Sequence, residues 1–428
     1  MTTLDENVKH VNGPINVVRL EGNVEGIDKV IYLFMDYHYD VSQQTECENI
    51  YAKDIQLYLA DSFRKLNDTN KMYDFFLEIH MSELQKVKFG YAYPAPINYK
   101  EKYIIEIRKF FNKIFRHEPS ENKVFVSDKL KNVRLHYIDI REYFEKYHAA
   151  SIVKALNIVT YMWTNINFYT NDISEILNTI IDFQKYCLLI VDILNGKYDK
   201  SADKISIIPY VNFESKEPRE QPTLEEDIRH IIYLLDKILS KYNHPDIHKN
   251  LLKHITIIKE SISSIIANCD NIINFCNDTI NRINEAPYYI KHKQIIFDDL
   301  NKYDYGLSTK EIRDIIKKIY DDVAGLHLKF IHTYSKIIDI YFLRRFLDKK
   351  YVTNAIVYTG ASHSNTYIEI LIKDFNFKIT HTSYSLISDL DDLNNEATKR
   401  TSLELFELFL PPIQSQCSDL TNFPDNFN

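Results

Sequence analysis

Apolar and polar positions along this chain follow two rhythms. Lys29–Phe34 (KVIYLF) is a short unbroken apolar run, the pattern of a strand covered on both faces. The polar stretch Met35–Thr45 reads as a turn. Glu46–Leu66 keeps helical spacing through Ile50, Ile55, Leu57, Leu59, Phe63 and Leu66. Asn67–Asn70 reads as a loop, Tyr73–Ile79 as a second strand, Lys100–Phe115 as a helix and Arg134–Ile140 as a third strand. Strand alternating with helix predicts a parallel sheet, because parallel neighbours need a crossover connection. From Arg141 to Phe346 the rhythm changes. Tyr143–Trp163, Asp172–Leu194, Leu224–Tyr242, Ile247–Ile283 and Thr309–Phe346 all carry helical periodicity, and proline-bearing Lys197–Pro222 reads as a linker. Ala355–Thr359 (AIVYT) then predicts a fourth strand, Gly360 a turn and Asn365–Phe375 a helix, and Lys378–Tyr384 allows a fifth strand.

The expected architecture is therefore α/β. Residues 15–145 and 335–410 form a mostly parallel sheet core, and residues 146–334 form a large all-helical insertion between them. Residues 1–14 and 411–428 read as polar tails.

Composition narrows the function. A 428-residue chain with 45% hydrophobic and 13% aromatic residues can fill a sizeable core. A net charge of −8, with basic and acidic residues interleaved, argues against a nucleic-acid partner. Five scattered cysteines (Cys47, Cys187, Cys269, Cys276, Cys417) do not form a disulfide or zinc framework, which predicts a reducing compartment. No signal peptide or membrane-spanning run is apparent, so a cytoplasmic location is expected. Few glycines among abundant Ile, Asn, Lys, Asp and Tyr match translation of an AT-rich genome.

Candidate chemistry sits at two strand ends. VIYLF-Met35-Asp36-Tyr37-His38 and AIVYT-Gly360-Ala361-Ser362-His363 share an apolar strand, a short turn and a histidine. Ligands gather outside the carboxyl ends of parallel strands, where imidazole can bind metal or move protons near neutral pH. Glycine at such a turn allows close backbone approach; Gly360 fits that role and Met35 does not.

The paired turns resemble the TraB/TIKI/ChaN/erythromycin-esterase superfamily and its G-x-x-H elements. Gly360–His363 with the helix behind it is similar to the C-terminal element, and Met35–His38 to the N-terminal one without its glycine. Leu77-Glu78-Ile79 resembles the strand-borne glutamate of that superfamily, and Arg344 or Arg345 its arginine. Val133–Arg141 and the DIYFLRRF…YTGASH segment are similar to versions encoded by large DNA viruses of protists.

The resemblance implies a metal-dependent hydrolase, peptidase- or esterase-like, acting on a peptide or small ester. His38, Glu78 and His363 would hold a divalent ion such as Mn, Co or Zn, whose bound water would ionise near about pH 7. Arg344 or Arg345 would stabilise developing negative charge. Gly360, Asp36, Asp139 and Arg141 are the candidates for contacting substrate.

Each residue also has a plainer reading. The histidines can be helix-start or loop residues, Glu78 a strand-end ion pair, Asp139 and Arg141 structural, and Arg344-Arg345 a solvated helix face. Cys47 is explained as a small residue at a helix start. The alternative function is a catalytically degenerate structural or interaction protein of a virus particle, meeting a protein partner through the helical insertion.

Overall fold

Every central strand sends alternate side chains to opposite faces of one sheet, and both faces are apolar. The computed structural model describes residues 9–43, 46–80, 100, 102–118, 124–165, 167–198, 224–285, 294–296, 309–412 and 415–427. In chain order these form β1 (His10–Asn12), β2 (Asn16–Val24), β3 (Ile27–Asp36), β4 (Lys53–Asp54), α1 (Ile55–Leu66), β5 (Tyr73–His80) and α2 (Tyr103–Phe111). Next come β6 (Arg116–Glu118), β7 (Val124–Val126), β8 (Val133–Asp139), α3 (Glu142–Asn165), β9 (Asn167–Tyr169), α4 (Thr170–Leu194), α5 (Leu224–Ser240) and α6 (Pro245–Glu285). They are followed by β10 (Gln294–Ile296), α7 (Thr309–Asp348), β11 (Asn354–Gly360), α8 (Ala361–Phe375), β12 (Lys378–Thr382), α9 (Leu390–Ala397), α10 (Leu405–Phe409) and β13 (Cys417–Asp419).

The main sheet has the order β12-β2-β3-β11-β5-β8-β7-β6. β3, β11, β5 and β8 run parallel to one another, with Gly360 opposite Asp36 and Tyr358 opposite Leu77. The outer pairings are antiparallel, so the sheet is mixed and not mostly parallel as the strand rhythm predicted. The reason is local. Glu25 and Gly26 both take positive φ (51° and 79°), the two-residue turn that suits a hairpin, and so short a link permits only antiparallel pairing. β2 (NVVRLEGNV) escaped the sequence reading because charges and a glycine interrupt its apolar positions.

On one face, Leu33, Met35, Phe76, Ile138 and Val357 join an apolar core continuous with the helical region and α8. On the other, Tyr32, Phe34, Phe75, Leu77, Leu135, Ile356 and Tyr358 pack with residues of α1 and α2. Leu420, Phe423 and Phe427 belong to that second core, and β13 pairs with β1, so both strands are built into the fold.

One buried side chain fastens the helical region to the sheet and another ties two of its helices together. Lys29 on β3 donates to the carbonyls of Phe346, Lys349 and Val352 (2.9, 3.0 and 2.6 Å), closing the C-terminal end of α7. Burial brings its ammonium down to about 8. Asp348 accepts from the backbone N–H groups of Asn243 and His244 (2.7 and 3.1 Å), just before α6. α7 runs unbroken across residues 334 and 335. The region is also not wholly helical, since β9 pairs antiparallel with β10. The expected linker Lys197–Pro222 lies, from residue 199 on, outside the described residues.

Further expectations are corrected. α1 begins at Ile55, not Glu46, and Ile50 is exposed. α8 begins at Ala361, which places His363 in its first turn. Cys47 and Cys417 form a disulfide across a sequence separation of 370, which removes the argument for a reducing compartment. The β1–β13 pairing, invisible in sequence, sets Cys417 opposite Asn12, whose Oδ1 accepts from the Cys47 N–H. Cys187, Cys269 and Cys276 are free and buried. Among the described residues, no helix is long and apolar enough to cross a membrane.

Candidate functional site

The four parallel strands end along one edge, and each delivers a polar group there. β3 supplies Asp36 and leads into His38; β11 supplies Thr359 and Gly360 and leads into His363; β5 supplies Glu78; β8 supplies Asp139 and leads into Arg141. Residues more than three hundred positions apart thereby converge on Glu78.

Glu78 is buried and wholly surrounded by donors. Its Oε2 accepts from the Thr359 hydroxyl and the Gly360 N–H, both at 2.7 Å, and its Oε1 from Arg141 Nη2 at 3.0 Å. Nε2 of His38 lies 3.4 Å from Oε2, and Nε2 of His363 lies 3.2 Å from Oε1. The opposite ring nitrogens are held by acids as well. His38 Nδ1 meets Asp36 Oδ2 at 2.8 Å, and His363 Nδ1 meets Asp339 Oδ1 at 2.5 Å. The result is a chain of alternating acids and imidazoles, Asp36–His38–Glu78–His363–Asp339.

Electrostatics follow from that alternation. Burial alone would lower His38, but hydrogen bonds and charges from Asp36 and Glu78 outweigh it and push the imidazole up to about 10. His363 is likewise held well above its ordinary value: burial opposes, and Glu78 and Asp339 prevail. Burial would raise Glu78, yet the paired imidazoles, His363 foremost, hold it well below the usual carboxylate range. For Asp339 the balance tips the other way, and burial pushes it up. His38 is the member nearest solvent, with 31% of its side chain exposed against 8% for His363. Its φ of 60° places it in the left-handed region, a conformation that costs about 1–3 kcal/mol and is found at sites held by their surroundings.

Gly360 is explained by this packing. A Cβ there would stand 3.0 Å from His38 Nε2 and 3.5 Å from Glu78 Oε2. Met35 does not crowd the site; its side chain is buried in the core shared with the helical region, and it lies opposite Thr359 in the ladder. Asp139 acts at the site through Arg141. It grips Arg141 through Nε (3.0 Å) and Nη2 (2.7 Å), and so aims that guanidinium at Glu78.

Arg344 and Arg345 are not brought to the site. Arg344 Nε donates to the Lys241 carbonyl at 3.0 Å, and its guanidinium lies over the Tyr242 ring. Arg345 acts electrostatically on His136, which binds Asp74 near the start of β5. The guanidinium at the site is Arg141, and α7 contributes Asp339 in place of an arginine. Sequence reading passed over Asp339, although an acid inside the apolar run Ile337–Tyr341 was a usable signal. It also missed Gln416, whose Nε2 donates to Asp36 Oδ1 at 3.1 Å. Nothing in the polar stretch around Gln416 marks it out.

A divalent ion fits this donor set poorly. The Nδ1–carboxylate pairs are what metal-bound histidines use, but both Glu78 oxygens are taken by protein donors, one of them a cation. Among the described residues, no group of three or more His, Cys, Asp or Glu side chains is placed to hold a metal.

Comparison with known proteins places the chain in a family. A family model described as "Family of unknown function (DUF5847)" matches residues 9–428, and the chain belongs to that family. It is similar to three uncharacterised proteins of Acanthamoeba polyphaga mimivirus. The first is 41% identical, covering 99% of this chain and 98% of the relative. The second is 37% identical over 100% of both chains, and the third 36% identical over 99% of both. No solved structure matches the chain at a significant level.

Proposed function

We propose that this member of the DUF5847 family is a histidine-assisted hydrolase of ester or peptide bonds, working without a resident metal. The observation that supports the reading is Glu78 held between Nε2 of His38 and Nε2 of His363 at the carboxyl edge of four parallel strands. The resemblance of Gly360–His363 and Met35–His38 to the TraB/TIKI/ChaN/erythromycin-esterase elements points to the same chemistry.

In the resting site both imidazoles carry protons at neutral pH and Glu78 is ionised. His38 and Arg141, both partly exposed, form a positive rim that would stabilise the oxyanion of a tetrahedral intermediate. Deprotonated His38, oriented through Nδ1 by Asp36, would take a proton from the attacking water. His363, oriented through Nδ1 by Asp339, keeps Glu78 charged and fixed from the buried side. Because the base form of His38 appears only toward about pH 10, hydrolysis should increase with pH up to that value.

Hydrolysis of chromogenic esters and fluorogenic peptides, with metal analysis of the same preparation, tests the proposal. His38→Ala and Glu78→Gln should each lower the rate by about 10²–10⁴-fold, and chelators should have no effect. A stoichiometric metal whose removal abolishes activity would return the metal-assisted reading. No hydrolysis of either substrate class would sink the enzyme reading altogether.

A second reading is an interaction protein of a virus particle. It is favoured by the exposed apolar side chains Leu188 (47%), Leu328 (67%) and Ile331 (48%) on α4 and α7. Under it, Leu328→Lys would disturb assembly, while His38→Ala would be silent.

A further inference from the structure

The Cys47–Cys417 disulfide lies next to the residue that steadies the solvent-facing histidine. Gln416, immediately before Cys417, is buried, and its Nε2 donates to Asp36, whose other oxygen holds His38 Nδ1. Cys47 closes the segment that follows His38, and its N–H donates to Asn12 Oδ1 at 2.8 Å. Asn12 is the β1 residue paired with Cys417. The chain is therefore held at Asp36 by β3 and at Cys47 by a covalent bond to β13, directly after Gln416. Between those anchors His38 sits in the left-handed region, a conformation that persists only where the surroundings over-determine it. Both cysteines are half-buried, within reach of a small thiol reagent.

We propose that this disulfide is a redox lock on the site: oxidised, it holds Gln416 on Asp36 and the His38 loop closed; reduced, it releases both. Opening requires a dithiol. One of its thiolates attacks a sulfur of the pair, the Cys47–Cys417 bond breaks and one cysteine leaves as a thiolate; the reagent's second thiolate then attacks the reagent sulfur of the mixed disulfide and expels the other cysteine. Two electrons and two protons pass to Cys47 and Cys417, and the reagent leaves as its own disulfide. β13 keeps its backbone pairing with β1 and the carbonyl of Gln416 keeps its bond from Gly13 N–H, so the fold survives reduction. What is lost is the covalent tether at Cys47. The lock deepens the hydrolase reading, since it would switch the same site, but the tether can be measured without any activity.

Hydrogen–deuterium exchange on the full chain, with the disulfide state checked by non-reducing mass spectrometry, tests it. On addition of dithiothreitol, amides of residues 37–43 should exchange on the order of tenfold faster, while β13, β5 and β8 stay unchanged. Cys417→Ser should reproduce the change without reductant, and reduction should do nothing further to that variant. Gln416→Ala with the disulfide intact should loosen the His38 turn alone. Equal exchange in the oxidised and reduced protein, or free Cys47 and Cys417 thiols after treatment with oxidised glutathione, would overturn the lock. Faster exchange together with no hydrolysis in either state would leave the lock standing and remove the hydrolase reading.

Discussion

β5 carries two buried carboxylates that use the same partners to opposite ends. Near its start, Asp74 binds His136 Nε2 at 2.6 Å and Arg134 Nη2 at 2.7 Å. Near its end, Glu78 meets His38, His363 and Arg141 Nη2. Carboxylate, imidazole and guanidinium make up both clusters, but their access to water differs. The His136 side chain is 0% exposed, and its ring stacks on Phe76. Burial first, then the charge of Arg345, brings His136 down to about 4, so it stays neutral and serves as packing with a hydrogen bond. His38 stands between two acids and is 31% exposed, so it holds its proton and can exchange it with a substrate. Residue types alone do not make a site; position along the strand and the rim of solvent do.

The largest test of this contrast is a pair of substitutions. Glu78→Gln should lower the rate of hydrolysis by about 10²–10⁴-fold. Asp74→Ala, by leaving Arg134 and His136 unpaired, should cost about 3–5 kcal/mol of stability while the folded protein keeps its rate. Denaturant unfolding and initial rates on the same samples check both; equal rate losses would erase the distinction.

Next in size is the pH dependence of stability, where the two histidines have opposite signs. The contribution of His38 is present below about pH 6.5 and lost as pH rises through about 10. That of His136 is present above about 6.5 and lost as pH falls through about 4. Thermal unfolding of His38→Gln and His136→Gln across that range should give difference curves of opposite slope. Parallel curves would mean that the two environments are alike.

The arginines give the finest discrimination. Arg141→Gln should reduce hydrolysis on the order of 10²-fold by removing the cation beside Glu78. Arg345→Gln should leave the rate within about twofold and raise the His136 imidazole, since it relieves a repulsion. NMR titration of His136 and steady-state rates would report the two effects separately.

Some of this was legible in the chain itself. β3, β5, β8 and β11 are short apolar runs, and those were readable as strands. The turn-borne His38 and His363 and the strand-borne Glu78 were readable as candidates because a polar group at the end of an apolar strand has few structural reasons to be there. β2 was not, because its alternation is broken by Arg19, Glu21 and Gly22, and its pairing comes from a turn. Arg344 and Arg345 misled because helical spacing does not say which way a side chain leans once the helix is packed on a sheet.

Sequence by itself determined the four central strands and the long helices, since side-chain periodicity acts locally, and it determined that Glu78 would need partners, since a carboxylate in an apolar strand must be compensated. Tertiary structure alone decided which partners those are. Parallel pairing of β11 between β3 and β5 sets His38 and His363 on either side of Glu78, α7 lends Asp339 and not an arginine, and the β1–β13 pairing brings Cys417 to Cys47 and Gln416 to Asp36. Contacts across hundreds of residues depend on how whole elements stack, and no local pattern encodes that.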